Sequence, residues 1–443
     1  MEVKLNDKKT VFGWTLYDWA NSTYNLVITS TIFPIYYENI TTIKNPITKE
    51  ILTNDVTLFG RTFENTSLYS YVLSLSFLVI AFVNPLLSGI ADYSGSKKKF
   101  MQFFCFLGSL ACAGMFFFTK DNIGFGLFMA FLASVGYSGS IVFYNAFLPE
   151  IVSPDRYDKT SARGFAMGYI GSVILLVFNL MLIMQPTWFG IPLENNGLTA
   201  KISFMTVALW WFGFAQITFS RLPNNPYNKK SEGAYLSRGY LELIKVWKEI
   251  KLNPVLKKYL TSFFVFNMGV QTVMYMAVTF AKKEITDMPD SGLIISILII
   301  QLIAILGAYA CSWLSHKIGN IKALGVTIFI WIIICFMAYS WVHSVNQFYM
   351  LAGLVGLVMG GVQSLSRSTY SKLLPQTTDH ASYFSFYDFC YQIGIVIGTF
   401  VYGYIYEITG NIRNAALVLS ILFIMGLILL FRVPKINRDL AQA

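Results

Sequence analysis

Residues 89–99 read Gly-Ile-Ala-Asp-Tyr-Ser-Gly-Ser-Lys-Lys-Lys and directly follow a long apolar run that ends near Leu87. Glycine on either side of Asp92, followed by three consecutive lysines, predicts a tight and positively charged turn. The segments on both sides of this turn are each long enough to cross a bilayer. The stretch therefore predicts a membrane protein whose chain reverses direction at a cationic loop.

The composition of the 443-residue chain agrees with a membrane protein. Charged residues make up 13% and hydrophobic residues 55% of the chain, whereas a soluble domain carries about 25% charged residues. A chain this apolar must use the bilayer as its solvent. The net charge of +10 is explained by charges in cytoplasmic loops, so no nucleic-acid partner is expected.

Windows of about 20 apolar residues predict twelve membrane spans. The predicted spans cover residues 11–38, 67–91, 98–119, 123–148, 161–185, 200–220, 255–281, 291–314, 321–342, 346–371, 383–407 and 412–432. We predict an N-terminal six-helix bundle in residues 1–220, a linker in residues 221–254 and a C-terminal six-helix bundle in residues 255–443. The connection at residues 39–66 is the other long one and should face the outside.

The placement of Lys and Arg predicts the orientation in the membrane. With the N-terminus inside, 25 of the 33 Lys and Arg residues fall in inside segments, and the alternation holds loop by loop. Both termini are therefore expected in the cytoplasm. The first apolar run is too long for a signal peptide, so we interpret it as a retained first helix.

The linker contains apolar residues at helical spacing with lysines between them. These residues are Leu236, Tyr240, Leu243, Trp247 and Ile250. The pattern predicts an amphipathic helix that lies at the cytoplasmic interface and tethers the two halves.

The two halves of the chain repeat weakly. Tyr144-Asn-Ala-Phe-Leu-Pro149 recurs as Tyr370-Ser-Lys-Leu-Leu-Pro375, each at the cytoplasmic end of the fourth helix of its half. Parallel repeats of six helices are a transporter architecture in which the substrate site lies between the halves. The predicted fold is an all-α membrane protein with twelve transmembrane helices in two six-helix bundles.

Four motifs carry a resemblance to a known family. They are Tyr17-Asp-Trp-Ala-Asn-Ser22, Tyr144-Asn-Ala-Phe-Leu-Pro-Glu150, Ser161-Ala-Arg-Gly-Phe-Ala-Met-Gly-Tyr-Ile-Gly171 and Gly360-Gly-Val-Gln-Ser-Leu-Ser-Arg-Ser368. Together they resemble the vacuole-effluxer branch of the major facilitator superfamily, and residues 89–99 resemble the loop between the second and third helices of that superfamily. The resemblance implies a major facilitator fold and, from the fungal members, export of neutral amino acids. The chain departs from the family at Tyr391 and Gln392, where a glycine and a basic residue are usual, and at Thr399, where a proline is frequent.

Asp18 is the first candidate site residue, because a carboxylate inside a membrane span is costly and should face a cavity or a partner. Ser22, Asn25 and Thr29 follow on the same helical stripe, and Asn21 lies beside it. Asp18 could bind a substrate amine or carry a coupling proton. The alternative is a structural aspartate near the cytoplasmic gate.

Uncharged polar residues mark the second half of the predicted substrate or proton site. Asn267, Gln271 and Tyr275 follow one face of the seventh helix, and Gln301 and Gln363 lie in later helices. Amides can hydrogen-bond a carboxylate or a peptide group. Interhelical hydrogen bonds that hold the bundle together are an equal alternative.

Arg367 and Asp388 are charged residues in apolar surroundings near the cytoplasmic ends of their helices. Arg367 needs a counter-ion there, and Asp388, Glu150 or Asp379 could supply it. We interpret these residues as a gating ion pair that closes the inside face in one state. The alternatives are direct substrate binding and a purely structural role.

Asp92 and Gly95, with the lysines that follow, are predicted to serve the same switch. Asp92 could cap a helix or pair with Arg156 or Arg163. The alternative is a solvated anchor that only sets the orientation.

Other chemistries find little support in the sequence. The five cysteines lie in apolar runs and the three histidines are scattered, so no metal site or cofactor is expected. A glycine-lysine P-loop is absent, which argues against transport driven by ATP.

We therefore expect a secondary active transporter, not an enzyme, that moves a small polar solute by alternating access. A neutral amino acid or a short peptide fits, with a solute or proton gradient as the driving force. The alternative is a polytopic membrane enzyme or lipid-handling protein, which would need an acidic, histidine or serine cluster at one interface. A monomer in a bacterial inner membrane is expected.

Overall fold

The chain is described here by a computed structural model that covers residues 4–45, 51–227, 229, 235–285 and 288–434. Within these residues, eleven helices are long and apolar enough to cross a membrane. A continuous helical run from Lys8 to Thr41 supplies the twelfth. Part of the predicted linker and the C-terminal charges Lys435 and Arg438 lie outside the described residues.

The helices follow the predicted spans closely. They are α1 (Lys8–Thr23), α2 (Phe33–Thr41), α3 (Asn65–Ser94), α4 (Lys97–Gly114), α5 (Ile123–Ala146), α6 (Leu148–Ile151), α7 (Tyr157–Met184), α8 (Leu198–Arg221), α9 (Tyr235–Leu252), α10 (Pro254–Glu284), α11 (Asp290–Ile318), α12 (Asn320–Ser340), α13 (Val345–Leu373), α14 (His380–Thr409) and α15 (Ile412–Phe431). Short 3₁₀ segments occupy Met115–Phe117, Lys120–Asn122, Pro154–Arg156 and Pro186–Phe189.

The first membrane helix is interrupted by a π-helical segment, Tyr24–Ile32, between α1 and α2. Pro34 lies in the first turn of α2, and a proline removes one backbone donor and obstructs the preceding turn. The hydroxyl groups of Ser30 and Thr31 donate to the carbonyls five residues earlier, at 2.8 Å each. These side chains satisfy carbonyls that a regular α-helix would bond through its backbone.

Residues 39–66 contain two short β-hairpins, which the prediction of an all-helical chain did not include. Strand β1 (Ile43–Lys44) pairs antiparallel with β2 (Ile51–Thr53), and β3 (Asp55–Leu58) pairs with β4 (Arg61–Glu64). Phe59 and Gly60 both have positive φ angles, as a two-residue hairpin turn requires. We call the end of the molecule that carries these strands the hairpin end.

The helices form two bundles, as predicted. One half contains α1 to α8 and the other contains α10 to α15, and the halves meet where α3 and α5 contact α14 and where α7 contacts α11 and α13. The helix α9 lies at the opposite end of α3 from the strands, and we call this end the linker end. The cytoplasmic position of the termini stays a prediction.

The linker helix α9 packs against the linker end of α3, and its position at the membrane interface stays a prediction. A Cβ atom on Gly89 of α3 would collide with the carbonyl oxygen of Gly239, so the two backbones touch. Val246 is buried, and within the predicted apolar stripe Ile250 is buried, whereas Tyr240 and Trp247 are 55% and 45% exposed. The buried face of α9 is therefore rotated from the predicted one, because contact with α3 requires the glycine side.

Candidate functional site

A cavity of about 100 Å³ lies between the two halves. Its wall combines residues of α1, α3, α5, α7, α10, α13 and α14 with the beginning of the π-helical segment. The polar side chains in the wall are Asp18, Ser22, Asn25, Tyr137, Ser138, Asn145, Asn267, Gln271, Tyr275, Gln363, Ser366, Arg367, Tyr387, Asp388, Tyr391 and Gln392. Eight of the nine residues predicted to bind substrate or protons are in contact with this cavity or with a smaller neighbouring one.

Arg367 crosses from α13 to the other half and pairs with Asp18 on α1. Its Nη1 lies 3.3 Å from Asp18 Oδ2, and both side chains are more than nine-tenths buried. The same guanidinium donates to Asn145 Oδ1 at 3.2 Å and to the hydroxyl and carbonyl oxygens of Ser161 at 2.9 and 3.0 Å. The charge is thus buried with a counter-ion and with its donors satisfied, as a charge in this setting requires.

The partner of Arg367 differs from the predicted ones. Asp388, Glu150 and Asp379 were the expected counter-ions, and each has other partners in the structure. Asp18 takes this place because α1 and α13 face each other across the cavity. Aromatic rings complete the surroundings, with the guanidinium 4.2 Å from the centre of Phe165 and 4.8 Å from the centre of Trp14.

Asp18 carries one further strong hydrogen bond. The Tyr144 hydroxyl donates to its Oδ2 at 2.6 Å, so the tyrosine of the first repeated motif is part of the site. The hydrogen bonds of Asp18 described here all go to Oδ2. That pattern leaves Oδ1 free to accept a hydrogen bond from a molecule in the cavity.

The amides predicted on the seventh helix form a chain of hydrogen bonds. Gln271 donates to Asn267 Oδ1 at 3.1 Å and accepts from the Tyr391 hydroxyl at 3.0 Å, while Asn267 donates weakly to the Tyr391 carbonyl at 3.4 Å. Each terminal NH₂ group has two hydrogens. Both amides therefore keep a donor for a ligand.

The remaining predicted polar residues divide between two cavities. Gln301 lines the neighbouring cavity of about 80 Å³, which shares Asn25, Gln271 and Tyr275 with the main one. Gln363 accepts a 2.5 Å hydrogen bond from the Tyr169 hydroxyl of the other half. Asn21 is fully buried and lines neither cavity, because it lies one residue away from the inward stripe of α1.

Asp388 is held by two amides rather than by a cation. Asn84 Nδ2 donates to Asp388 Oδ2 at 3.0 Å, and Gln392 Nε2 donates to Oδ1 at 3.2 Å. Asn84 belongs to α3, so this contact also joins the two halves. Sequence analysis missed Asn84, although its position before Pro85 in a membrane helix was an available indication.

Asp92 caps a helix, which is one of the two roles predicted for it. It accepts hydrogen bonds from the backbone amides of Ala381 and Ser382, at 3.2 and 2.6 Å, at the start of α14. A carboxylate at a helix N-terminus is stabilised by free N–H groups and by the helix dipole. The cap joins α3 to the other half at the linker end.

The alternative partners proposed for Asp92 lie elsewhere. Arg156 is beside Asp155 on the surface, and Arg163 is exposed with its guanidinium over the Phe12 ring. Arg163 therefore faces outward and makes no described contact across the halves. Gly95 has φ +65° and ends α3 in the left-handed conformation that favours glycine.

Glu150 lies in a buried group beside Asp92. It pairs with Lys97 and lies 3.1 Å from the Nδ1 atom of His380. Lys97 is also 3.7 Å from Asp92. Asp92 and Lys97 of the predicted turn thus belong to a buried charge cluster and do not form a solvated anchor.

Asp158 and Lys372 form an ion pair across the halves that sequence analysis did not identify. Lys372 Nζ lies 2.6 Å from Asp158 Oδ2, and Asn320 donates to Oδ1 at 2.7 Å. Both residues lie at the linker end of predicted spans, one in each half, and this placement could have indicated that they form a pair. Together with Arg367 and Asp92, this pair joins the halves at the linker end.

Asp379 connects the linker to α14. Lys229 and Lys245 each approach one of its carboxylate oxygens at 2.9 Å. Burial acts to raise the pKa of Asp379, but hydrogen bonds from Glu242, Lys229 and Lys245 outweigh burial and hold the pKa below its ordinary value. The carboxylate is thus ionised in its contact with α9.

Among the described residues, no group of three or more His, Cys, Asp or Glu side chains is arranged to hold a metal ion. The candidate site instead consists of two carboxyl groups, a guanidinium, amides, phenols and serine hydroxyls. Such groups bind polar organic molecules through hydrogen bonds and charge.

Solved structures with the same fold are transporters of the major facilitator type. FucP in the outward conformation matches with a TM-score of 0.70 and 15% identity, over 97% of this chain and 99% of that one. The human organic anion transporter MFSD10 matches with a TM-score of 0.68 and 13% identity, over 96% and 100%. The chain therefore has the two-bundle fold of these transporters, with a cavity between its halves.

The sequence comparisons give the family. The model of the family described as "Vacuole effluxer Atg22 like" matches residues 6–442. The chain is 30% identical to YxiO of Bacillus subtilis, an uncharacterized MFS-type transporter, over 97% of this chain and 96% of that protein. It is 22% identical to autophagy-related protein 22-1 of Penicillium rubens over 99% and 92%. The chain belongs to the Atg22-like vacuole effluxer family.

Proposed function

We propose that this chain is a secondary active transporter that moves small neutral amino acids by alternating access. The family name denotes an effluxer, and the fungal branch that the motifs resemble exports neutral amino acids. A free amino acid carries an ammonium group and a carboxylate. The cavity offers groups that suit both.

Asp18 Oδ1 is the acceptor for the ammonium group. Asp18 lines the cavity, and its Oδ2 is already bonded to Arg367 and Tyr144. The free donors of Asn267 and Gln271 on the opposite wall suit the carboxylate. A zwitterion can bind between these two walls without adding net charge to the bundle.

The size of the cavity favours a single amino acid over a peptide. At about 100 Å³ it is smaller than the roughly 300–1,000 Å³ of sites for drug-sized ligands. Phe77, Phe165 and Phe266 supply the apolar part of the wall. A short side chain such as that of alanine or serine suits this space.

Three sets of contacts at the linker end support an alternating-access cycle. The Arg367–Asp18 pair, the Asp158–Lys372 pair and the Asp92 cap all join the halves there. The structure thus corresponds to the state in which this end is closed. Opening it requires all three to separate while the substrate replaces part of the lost interactions.

The proposed cell location follows from the charge distribution. Lys and Arg concentrate at the linker end, which by the positive-inside rule faces the cytoplasm. The similarity to the Bacillus subtilis protein supports a bacterial cytoplasmic membrane. The closed linker end then seals the cavity from the cytoplasm.

The observation that carries the proposal is the buried Asp18–Arg367 pair at a polar cavity between the halves. Its test is counterflow of labelled amino acids in proteoliposomes, with dipeptides and sugars in the same panel. Asn267→Ala and Gln271→Ala should each weaken amino-acid binding by about 10- to 100-fold, the worth of a hydrogen bond to a charged group. Gln216→Ala, at an exposed amide of α8, is the control and should leave binding unchanged.

Three outcomes would count against the proposal. In the first, the wild-type protein shows counterflow for sugars or dipeptides but for no amino acid. In the second, it shows counterflow for no compound in the panel. Unchanged amino-acid binding in both amide variants would show that the ligand does not use this wall.

A further inference from the structure

Asp388 is a buried carboxyl group in the transport cavity that the amino-acid site above leaves unused. It is 3% exposed, and none of the ion pairs among the described residues includes it. An ionised carboxylate in such a place normally has a cation beside it. Its partners are instead the neutral amides of Asn84 and Gln392.

The two amides have unused oxygen atoms in a buried position. Asn84 Oδ1 and Gln392 Oε1 are both fully buried without a hydrogen-bond partner among the described residues. Buried acceptors of this kind are rare and costly. A carboxylic acid would supply a donor for one of these two oxygens, because the protonated form of Asp388 carries one O–H group.

The site can therefore satisfy two protonation states. The ionised carboxylate accepts one N–H from each amide, as in the structure. After protonation, rotation of the Gln392 amide by half a turn places its oxygen where it accepts the new O–H. The protonated Asp388 then needs only Gln392, on its own helix, as a hydrogen-bond partner.

The other titratable groups around the cavity do not take this role. Asp18 has Arg367 as its counter-ion, and Arg367 also donates to Asn145 and Ser161. The tyrosines in the cavity wall lie on α5, α10 and α14, and they are Tyr137, Tyr275, Tyr387 and Tyr391. On the elements packed against α14, Asp92 of α3 and Glu249 of α9 bond the first turn of α14, about two turns from Asp388.

We propose that Asp388 is the proton-binding site that couples a proton gradient to transport, with Asn84 and Gln392 as the groups that adapt to its protonation state. This inference rests on the proposed transport function. Asp388 takes one proton from water on one side of the membrane and returns it to water on the other.

The position of the site explains how protonation drives the cycle. Asn84 belongs to α3 and Asp388 to α14, so their hydrogen bond crosses the halves. Separation of α3 from α14 would leave an ionised carboxylate with one donor in a dry place, which is unfavourable. Protonation removes the charge, so the halves can separate at the linker end at lower cost.

The first test compares two transport modes in proteoliposomes. Asp388→Asn should abolish accumulation driven by a pH gradient but retain counterflow, because exchange needs no net proton movement. Glu407→Gln, at an exposed carboxyl on the same helix, should behave as the wild type does. Asn84→Ala removes a donor to the ionised form, so half-maximal uptake should shift to higher pH.

The outcomes separate this inference from the proposed function. If the wild-type protein shows no amino-acid counterflow, the proposed function is rejected. If Asp388→Asn accumulates substrate in a pH gradient as well as the wild type does, only the proton site is rejected. Accumulation driven by a sodium gradient at constant pH, lost in Asp388→Asn, would assign the site to sodium and overturn the proposal.

A second measurement is independent of transport. Infrared difference spectra of the purified protein between acid and neutral pH should show a buried carboxylic acid band that Asp388→Asn lacks and Glu407→Gln retains. The same band in Asp388→Asn would place the proton elsewhere.

Discussion

Arg367 on α13 and Asp18 on α1 lie 349 residues apart in the chain and form a buried ion pair, with Arg367 Nη1 3.3 Å from Asp18 Oδ2. The pair lies at the wall of the cavity and also joins the two halves. It therefore links the place where a solute binds to the contact that must break when the linker end opens.

Removing one member of this pair should cost far more than removing both. Arg367→Gln leaves Asp18 buried without its counter-ion, and such losses cost about 3–5 kcal/mol. Asp18→Asn combined with Arg367→Gln should unfold at a temperature closer to that of the wild type than Arg367→Gln does. Thermal unfolding of the purified proteins measures this, and additive losses in the double variant would contradict the pairing.

The same substitution should open the linker end more often. Thr160 on α7 is buried, so a single cysteine there, in a chain without its five native cysteines, reports access from that end. Arg367→Gln should speed its reaction with a thiol reagent. Equal labelling rates with and without the substitution would show that the pair does not hold the halves together.

Gly164→Ala should disturb the pair without changing any charge. A Cβ atom at this position would lie 2.6 Å from Asp18 Oδ2 and 3.0 Å from Arg367 Nη2. Overpacking of this kind costs about 1–3 kcal/mol, and labelling at position 160 should rise. Gly213→Ala on α8 is the matched control, because nothing lies within 4 Å of its added methyl group.

Gly89→Ala should detach α9 from α3. The added methyl group would collide with the carbonyl oxygen of Gly239, a backbone atom that cannot move alone. Trypsin should then cut faster at the exposed Lys248 and Lys251. Gly403→Ala has open space around it and should leave the cleavage rate as it is in the wild type.

The contact between Asp379 and the lysines of the linker should persist over the physiological pH range. The folded-state pKa of Asp379 is lowered, so its contribution to stability is complete above the ordinary value of about 4 and is lost only as the pH falls below it. Hydrogen exchange of α9, corrected for intrinsic rates, should thus be equal at pH 8 and pH 6. Asp379→Asn should raise exchange by a small factor, since a half-exposed pair is worth at most about 1 kcal/mol.

Much of the architecture could be predicted from local patterns. Runs of apolar residues mark the spans, and the two long connections interrupt them, so helix positions follow within a few residues. The π-helical segment and the two hairpins were not predicted. The first depends on Pro34 and on hydroxyl groups that bond carbonyls five residues back, and the second involves strands too short to give a periodic pattern.

The candidate site was predicted in its residue types but not in its pairings. Asp18 and Arg367 were each identified because a charged side chain inside a membrane span is costly unless it has a partner or faces a cavity. The sequence could not show that they bind each other, nor that Asn84 faces Asp388, because such contacts depend on how the halves meet.

The amino-acid sequence by itself determined that this protein crosses the membrane in two six-helix repeats with a polar stripe on the first helix. Hydrophobicity and helical periodicity are properties of neighbouring residues, so the chain displays them directly. Only the tertiary structure decided which buried charges are neutralised by an ion pair and which carboxyl group has only amide groups as hydrogen-bond partners. That choice depends on distances across the interface between the halves, where residues hundreds of positions apart share one dry space of low dielectric constant.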